Sequence, residues 1–353
     1  MSSLNRLQGC NLSLPSGGSA CILAAHQGGS RREAAGNRGA KDLRPSSGCA
    51  QAFLEREELH IQELAQQVVS GLATGSIFAS LALALVLIYR SMDVINFAQG
   101  ELAMFTTFIA WQLTQQGMPL WAAFAATMGI SFAGAVALER IVIRPIERAP
   151  QLTIVIVTLG LLIIFNGLAG WIWGYELKSF PSPFPTAPIR VGNVTFSSQD
   201  LGVIGVTLAA MLLIYAFFSR TKLGLAMRAA ALYPAESRVL GIPHGWMLAL
   251  GWGLAAVMGA LSGLMVAPIV FLDPNMMQSI VVYAFAAAVL GGIDSPVGAV
   301  VGGLVLGVTL NLLGTYVDFI GTDLRLPVAF AIIVGVLVVR PSGMFGHRRL
   351  TRV

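Results

Sequence analysis

Two short polar breaks interrupt an otherwise apolar chain. One reads Asp93-Val-Ile-Asn96-Phe-Ala-Gln99-Gly100-Glu101, the other Leu290-Gly291-Gly292-Ile-Asp294-Ser-Pro296-Val-Gly298. Polar groups at membrane depth are expensive unless they line a cavity or face protein. Paired Gly/Pro interruptions are a pointer to the substrate path of a transporter. Asn96, Gln99, Gly100, Glu101, Gly291, Gly292 and Pro296 are therefore candidates for a translocation path. The plainer alternative is two tight cytoplasmic turns closed by helix caps. Glu101 stands apart from that alternative, because it lies a full turn inside the second apolar run.

No other constellation competes for a chemical role. There is no G-x-x-x-x-G-K-S/T phosphate loop, no H-E-x-x-H and no G-x-S-x-G. No pair of carboxylates is placed in an apolar run for general acid–base work. His26 and His60 precede the apolar spans, while His244 and His347 fall in breaks. Cys10, Cys21 and Cys49 all lie in the N-terminal tail, and with His26 their spacings match no zinc pattern. The expectation is a chain that is not an enzyme and carries no metal or cofactor. If ATP powers it, another chain must hydrolyse the nucleotide.

A third feature is a basic, helix-prone loop from Ser219 to Gly245, set between two long apolar runs whose neighbours are joined by short connectors. Pro234 suits the first position of a helix, and Glu236 suits its first turn. Gly241 can end that helix, and Ile242-Pro243 stops it. The result is a short helix exposing Ala235, Val239 and Leu240 beside Arg238. It is large enough to dock another protein; the alternative is an amphipathic helix lying on the membrane surface.

The elements that hold these residues follow from composition. Of 353 residues, 56% are hydrophobic and only 11% charged, with a mean hydropathy of +0.75. Soluble domains carry about 25% charged residues, so most of this chain cannot face water. The expected fold class is all-α: a polytopic transmembrane helical bundle of about eight to ten segments, each crossing helix needing roughly 20 residues. Apolar runs lie near Leu64–Tyr89, Ile95–Gln115, Leu120–Leu138, Leu152–Trp173, Leu201–Phe218, Trp246–Leu272, Met276–Leu290, Gly298–Val317 and Leu326–Val339. The seventh and ninth are short, which leaves room for a re-entrant segment. Gly71/Gly75, Gly170/Gly174, Gly259/Gly263, Gly298/Gly302 and Gly303/Gly307 fit the small-xxx-small pattern of tightly packed helices in lipid.

Charge sets the orientation. Arg90, Arg140, Arg144, Arg148, Arg220, Lys222, Arg228, Arg238, Arg340, Arg348, Arg349 and Arg352 fall on one side of this bundle, against Lys178, Arg190 and Arg325 on the other. Such clustering marks the cytoplasmic side. It accounts for the net charge of +5 without a nucleic-acid surface, since a basic stripe with interleaved aromatics is missing. The connection 175–200 is then external. Pro181, Pro183, Pro185 and Pro188 favour an extended cover there, and Trp171, Trp173 and Tyr175 suit the adjacent water–lipid boundary. Residues 1–58 read as a disordered tail and as an over-extended start, although no second methionine precedes Met92. Residues 59–346 form the transmembrane domain, and 347–353 a basic cytoplasmic tail.

Taken in order, three motifs resemble the permease subunits of the bacterial branched-chain amino acid ABC importers. They are Val94-Ile-Asn-Phe-Ala-Gln-Gly-Glu101, Gly224-x-x-x-Arg228-Ala229 through Ala235 to Gly241-Ile242, and Leu290-Gly-Gly-Ile-Asp-Ser-Pro-Val-Gly298. The resemblance covers about Leu64 to Phe345. It implies a multi-pass subunit of a bacterial inner membrane, set in membrane lipid and paired with a second homologous permease. Two cytoplasmic ATPase subunits would carry ATP and magnesium, and a periplasmic substrate-binding protein would deliver the amino acid. By the same resemblance Gly224, Arg228, Ala229, Ala235, Glu236, Gly241 and Ile242 belong to the ATPase-coupling loop. The alanine-rich stretch usual in the family is interrupted here by Glu236-Ser237. Related permeases carry urea or short-chain amides, which is the first alternative. An ion-coupled secondary amino acid transporter, with Glu101 as its coupling acid, and a membrane enzyme acting on lipid are the others.

Overall fold

The computed structural model describes residues 47–147, 149–185, 187–191, 194–317, 321, 324–340 and 342–346. Expectations for Cys10, Cys21, His26, Arg148, His347, Arg348, Arg349 and Arg352 fall outside those residues, as does the tail before 47. The chain divides into two units, Met1–Glu58 and Leu59–Val353. In the first, the described residues from Ser47 onward are helical.

The second unit is helical along every apolar run. A segment that leaves water must satisfy its own backbone, and a helix does so within one segment. In chain order the helices are α1 (Ser47–Met92), α2 (Gln99–Gln115), α3 (Leu120–Leu138) and α4 (Gln151–Trp173). Then come α5 (Ser198–Arg220), α6 (Lys222–Leu232), α7 (Pro234–Val239) and α8 (His244–Val270), followed by α9 (Gln278–Gly291), α10 (Pro296–Tyr316) and α11 (Arg325–Val339). A π turn (Glu139–Ile143) and a 3-10 turn (Arg144–Ile146) extend α3. Among the described residues six helices are long and apolar enough to cross a membrane, while α9 and α11 are shorter, at 14 and 15 residues. This is the all-α, polytopic bundle that composition required.

The core lies where α1, α2, α8, α9 and α10 meet, around Leu81, Met104, Phe108, Leu261, Leu264 and Met277. Within their most apolar stretches α1 and α8 are largely buried, and α4 and α5 are buried over less than a quarter. Glycine decides how closely the central helices approach. A Cβ on Gly75 would stand 2.9 Å from the Gly303 carbonyl oxygen, and one on Gly71 2.8 Å from Val308 Cα. Gly303 and Gly307 meet the Ala79 and Gly75 backbones in return. Along this seam backbone packs on backbone, which small residues alone permit. Gly291 and Gly298 bring α9 and α10 together in the same way, and Gly259 and Gly263 admit α2 against α8. Gly170/Gly174 is different: Gly170 faces the Tyr175 ring, and Gly174 ends α4. Gly303→Leu is expected to cost about 3 kcal/mol or more through overpacking, measured as a lower melting temperature of the purified protein in detergent.

The structure gathers the basic groups at one end. Arg144 lies against Gly245, Glu147 meets His244, and Arg90, Arg228, His244 and Pro296 line one cavity. At the opposite end Lys178 bridges to Leu272 and Arg325 lies against Gly314. The connection after α4 is extended, and it contains an unanticipated hairpin of β1 (Pro188–Val191) and β2 (Val194–Ser197), with Val191 opposite Val194. Trp171 and Tyr175 are exposed, as boundary residues would be. Trp173 is not: its ring stacks on Phe108 at 5.0 Å, and its Nε1 donates to Gln112 Oε1.

Candidate functional site

The basic end carries the Ser219–Gly245 segment. α5 stops at Arg220, Thr221 turns extended, and its Oγ1 accepts a hydrogen bond from the Gly224 amide at 3.0 Å. This N-cap starts α6 and satisfies one of its free donors. A Cβ at Gly224 would press on Phe217 O and Phe218 Cα, so glycine is what lets α6 fold back on the end of α5. Gly224, Met227 and Ala230 form the buried face of α6, three residues apart, and Met227 and Ala230 pack with Met247. The other face is free: Leu223, Leu225 and Leu232 are exposed.

α7 begins with Pro234 at its first turn and carries Glu236 there. Gly241 follows at φ +79°, a left-handed conformation that closes the helix. Val239 and Leu240 are 88% and 79% exposed. Arg238 reaches Glu147 at 4.0 Å, and His244 Nε2 reaches the same carboxylate at 3.3 Å. Arg144 to Glu147 therefore brace the segment, a role the sequence did not reveal. Arg228 and Ala229 do not share the free apolar face; both are partly buried, and Arg228 lines the cavity beneath α6. Ile242 packs against the cluster of Met227, Ala230 and Met247. Gly241→Val would force a branched side chain into the left-handed region, at about 1–2 kcal/mol. The expected result is faster proteolysis within 233–245, with the remaining bundle still resistant.

The first polar break is a buried connection. Asn96 and Gln99 are fully buried, and Asn96 Oδ1 accepts from the Ala98 amide, as a capping group would. Asn96 Nδ2 donates to Gln99 Oε1 at 3.3 Å, and Gln99 Nε2 donates to the Ala255 carbonyl at 3.0 Å. Ala255 lies near the middle of α8, so α2 starts deep within the bundle. Gly100 faces Val281 in the first turn of α9. Both short helices thus begin at one level, well inside the ends of α8.

Glu101 sits at that level with 4% of its surface exposed. Its Oε2 accepts from Asn166 Nδ2 at 3.3 Å. The same nitrogen donates to Pro274 O at 2.9 Å and Asn275 Oδ1 at 3.3 Å, and Gln278 Nε2 donates to Asn275 Oδ1 at 2.9 Å. An amide nitrogen has two hydrogens, and three acceptors compete for them, so the carboxylate is weakly held. Asn275 and Gln278 are exposed on the surface of this chain. The sequence missed Asn166, Asn275 and Gln278, although a lone asparagine in the apolar run of α4 was a usable signal.

The second break closes α9 and opens α10. Gly292 takes φ +105°, and Ser295 Oγ accepts from the Gly298 amide at 3.0 Å, with Pro296 in the first turn. Gly291 and Gly292 also lie beneath the chain after α11, where Phe345 N donates to Gly291 O at 2.9 Å. Gly291, Gly292 and Pro296 therefore sit at the basic end, away from the Glu101 cluster. The two groups of candidate path residues do not form one site. Among the described residues no group of three or more His, Cys, Asp or Glu could hold a metal.

Comparison with known proteins adds the relatives. Residues 67–338 match the family described as branched-chain amino acid transport system / permease component. The chain is 32% identical to the high-affinity branched-chain amino acid transport system permease protein BraD of Pseudomonas aeruginosa, over 82% of this chain and 97% of that one. Identity to the LivH permease protein of Escherichia coli is 28%, with the same coverage. The probable branched-chain amino acid transport permease protein LivH of Methanocaldococcus jannaschii is 24% identical, over 82% of this chain and 95% of that one.

Proposed function

The chain belongs to the family of branched-chain amino acid transport system permease components, and on that premise we propose that it forms the membrane pathway through which an ATP-driven importer admits leucine, isoleucine and valine. It is a transport subunit and not an enzyme. Permeases of this class work with ATPase and binding-protein partners. The finer arrangement here is a second homologous permease, two ATPases on the basic, cytoplasmic side, and a periplasmic binding protein over the 175–200 connection. ATP and magnesium reside on the ATPases. Residues 59–346 are the permease domain, and 219–245 its coupling loop.

The observation that carries this reading is the two-faced coupling segment. Its inner face is fixed by Gly224, Met227 and Ala230, while Leu223, Leu225, Leu232, Val239 and Leu240 are left exposed at the basic end. Apolar groups outside a membrane core need a partner to cover them, and a rigidly anchored segment can pass a partner's movement into α5 and α8. The Glu101 cluster, with Asn96, Gln99 and Gly100 beneath it, is the polar part of the path, and the long apolar helices supply the rest.

Cells carrying the complete transporter should accumulate labelled leucine. Uptake should stop on ATP depletion and continue when the proton gradient is collapsed with ATP maintained. Uptake that followed the gradient would overturn the reading in favour of ion coupling. Competition by urea or acetamide, but not by isoleucine, would reassign the substrate.

A further inference from the structure

A cavity of about 520 Å³ opens at the basic end, between α5–α6 and the helices α1, α8 and α10. Its walls are apolar: Leu83 and Leu87 from α1, Leu208, Met211 and Phe218 from α5, and Val300 from α10. Its head is cationic through Arg90 and Arg228, with His244 beside them. Burial weighs most on the Arg90 charge, then the attraction of Asp294, with the repulsion of Arg228 the smallest of the three. Yet among the described residues neither arginine has a carboxylate within 4.0 Å. Arg228 Nε and His244 Nδ1 are buried with no hydrogen-bond partner. Two guanidiniums lining one largely apolar cavity favour an anion placed between them.

We propose that this cavity holds an acidic phospholipid, its phosphate between Arg90 and Arg228 and one acyl chain laid along α5. Shape favours a lipid over a free amino acid. Leu208 and Ser219 both line the cavity, and at 1.5 Å per residue the wall between them runs about 16 Å, far longer than a leucine side chain. Leu212 and Tyr215 on this wall are also exposed, so the cavity is open at its edge to the hydrocarbon. Basic pockets between helices on the cytoplasmic side are known binding places for acidic headgroups. Because Arg228 sits on α6, the bound lipid ties the coupling segment to the inner leaflet. This site lies at the other end of α9 from the Glu101 cluster and does not depend on the choice of substrate.

The test takes the complete transporter into vesicles of phosphatidylcholine with or without phosphatidylglycerol, followed by native mass spectrometry of the re-extracted complex. Wild type is expected to retain phosphatidylglycerol in preference to phosphatidylcholine. Arg90→Gln should lower that retention about fivefold, the effect of one cation on an acidic headgroup. Met211→Trp, which fills the apolar part without touching charge, should lower it as well, while Arg340→Gln, at the same end but outside the cavity, should not. Equal retention in all four proteins, or no preference for the acidic lipid, overturns the proposal. So does labelled leucine binding that is lost in Arg90→Gln and Met211→Trp, since the cavity would then belong to the substrate path. ATPase pull-down, measured on the same samples, reports the coupling reading separately.

Discussion

Aspartate at both Val239 and Leu240 is expected to abolish leucine uptake and leave the bundle folded. Both side chains point into solvent, and exposed substitutions of this kind shift stability by about 0.5 kcal/mol or less. Within an interface the arithmetic reverses. An apolar anchor is worth about 2 kcal/mol or more when lost, so two of them amount to roughly 4 kcal/mol, near a thousandfold in affinity. Gel filtration and melting of the permease should match wild type, while pull-down of the ATPase and uptake both fail. Retained pull-down and uptake would mean that α7 rests on lipid and couples to nothing.

Glu101→Leu is expected to separate stability from activity. An ionisable group inside a membrane bundle costs about 2.5–3.5 kcal/mol on insertion scales, and the hydrogen bond from Asn166 is shared with Pro274 O and Asn275 Oδ1. Leucine removes the polar burden and keeps most of the volume, so the variant should melt no lower than wild type. Its uptake should fall at least about tenfold, which corresponds to one charged contact of roughly 1.4 kcal/mol with the passing amino acid. Glu101→Gln keeps a hydrogen-bond acceptor for Asn166 without the charge, and so reports which of the two the substrate uses. Unchanged uptake in both variants would remove this cluster from the path.

The parts legible in the sequence were those governed by local rules. Pro234, Glu236 and Gly241 marked the start, first turn and end of α7 because capping is decided within a few residues. The apolar runs marked the long helices for the same reason. What stayed hidden depends on contacts far apart in the chain. Glu101 meets Asn166 across 65 positions, and Gln99 meets Ala255 across 156. Nothing in the pattern around residue 99 records its partner. Gly224 was visible as a motif position, but its reason, the carbonyl of Phe217 beneath it, needed three dimensions. Arg144 to Glu147 read as ordinary positive-inside loop, and Glu147 proved to brace the 219–245 segment through Arg238 and His244. The hairpin β1–β2 had a local signal, Gly192-Asn193 between two valines, which the neighbouring prolines obscured.

The glycine seam between α1 and α10 bears on how such a protein moves. Where main chain rests on main chain there are no rotamers to absorb a shift, so the pair behaves as a keel. Give must be found where side chains and open volume intervene, and that is the flank formed by α5 and α6 above the cavity. A shift imposed on residues 219–245 would be taken up by this flank before the glycine seam deforms.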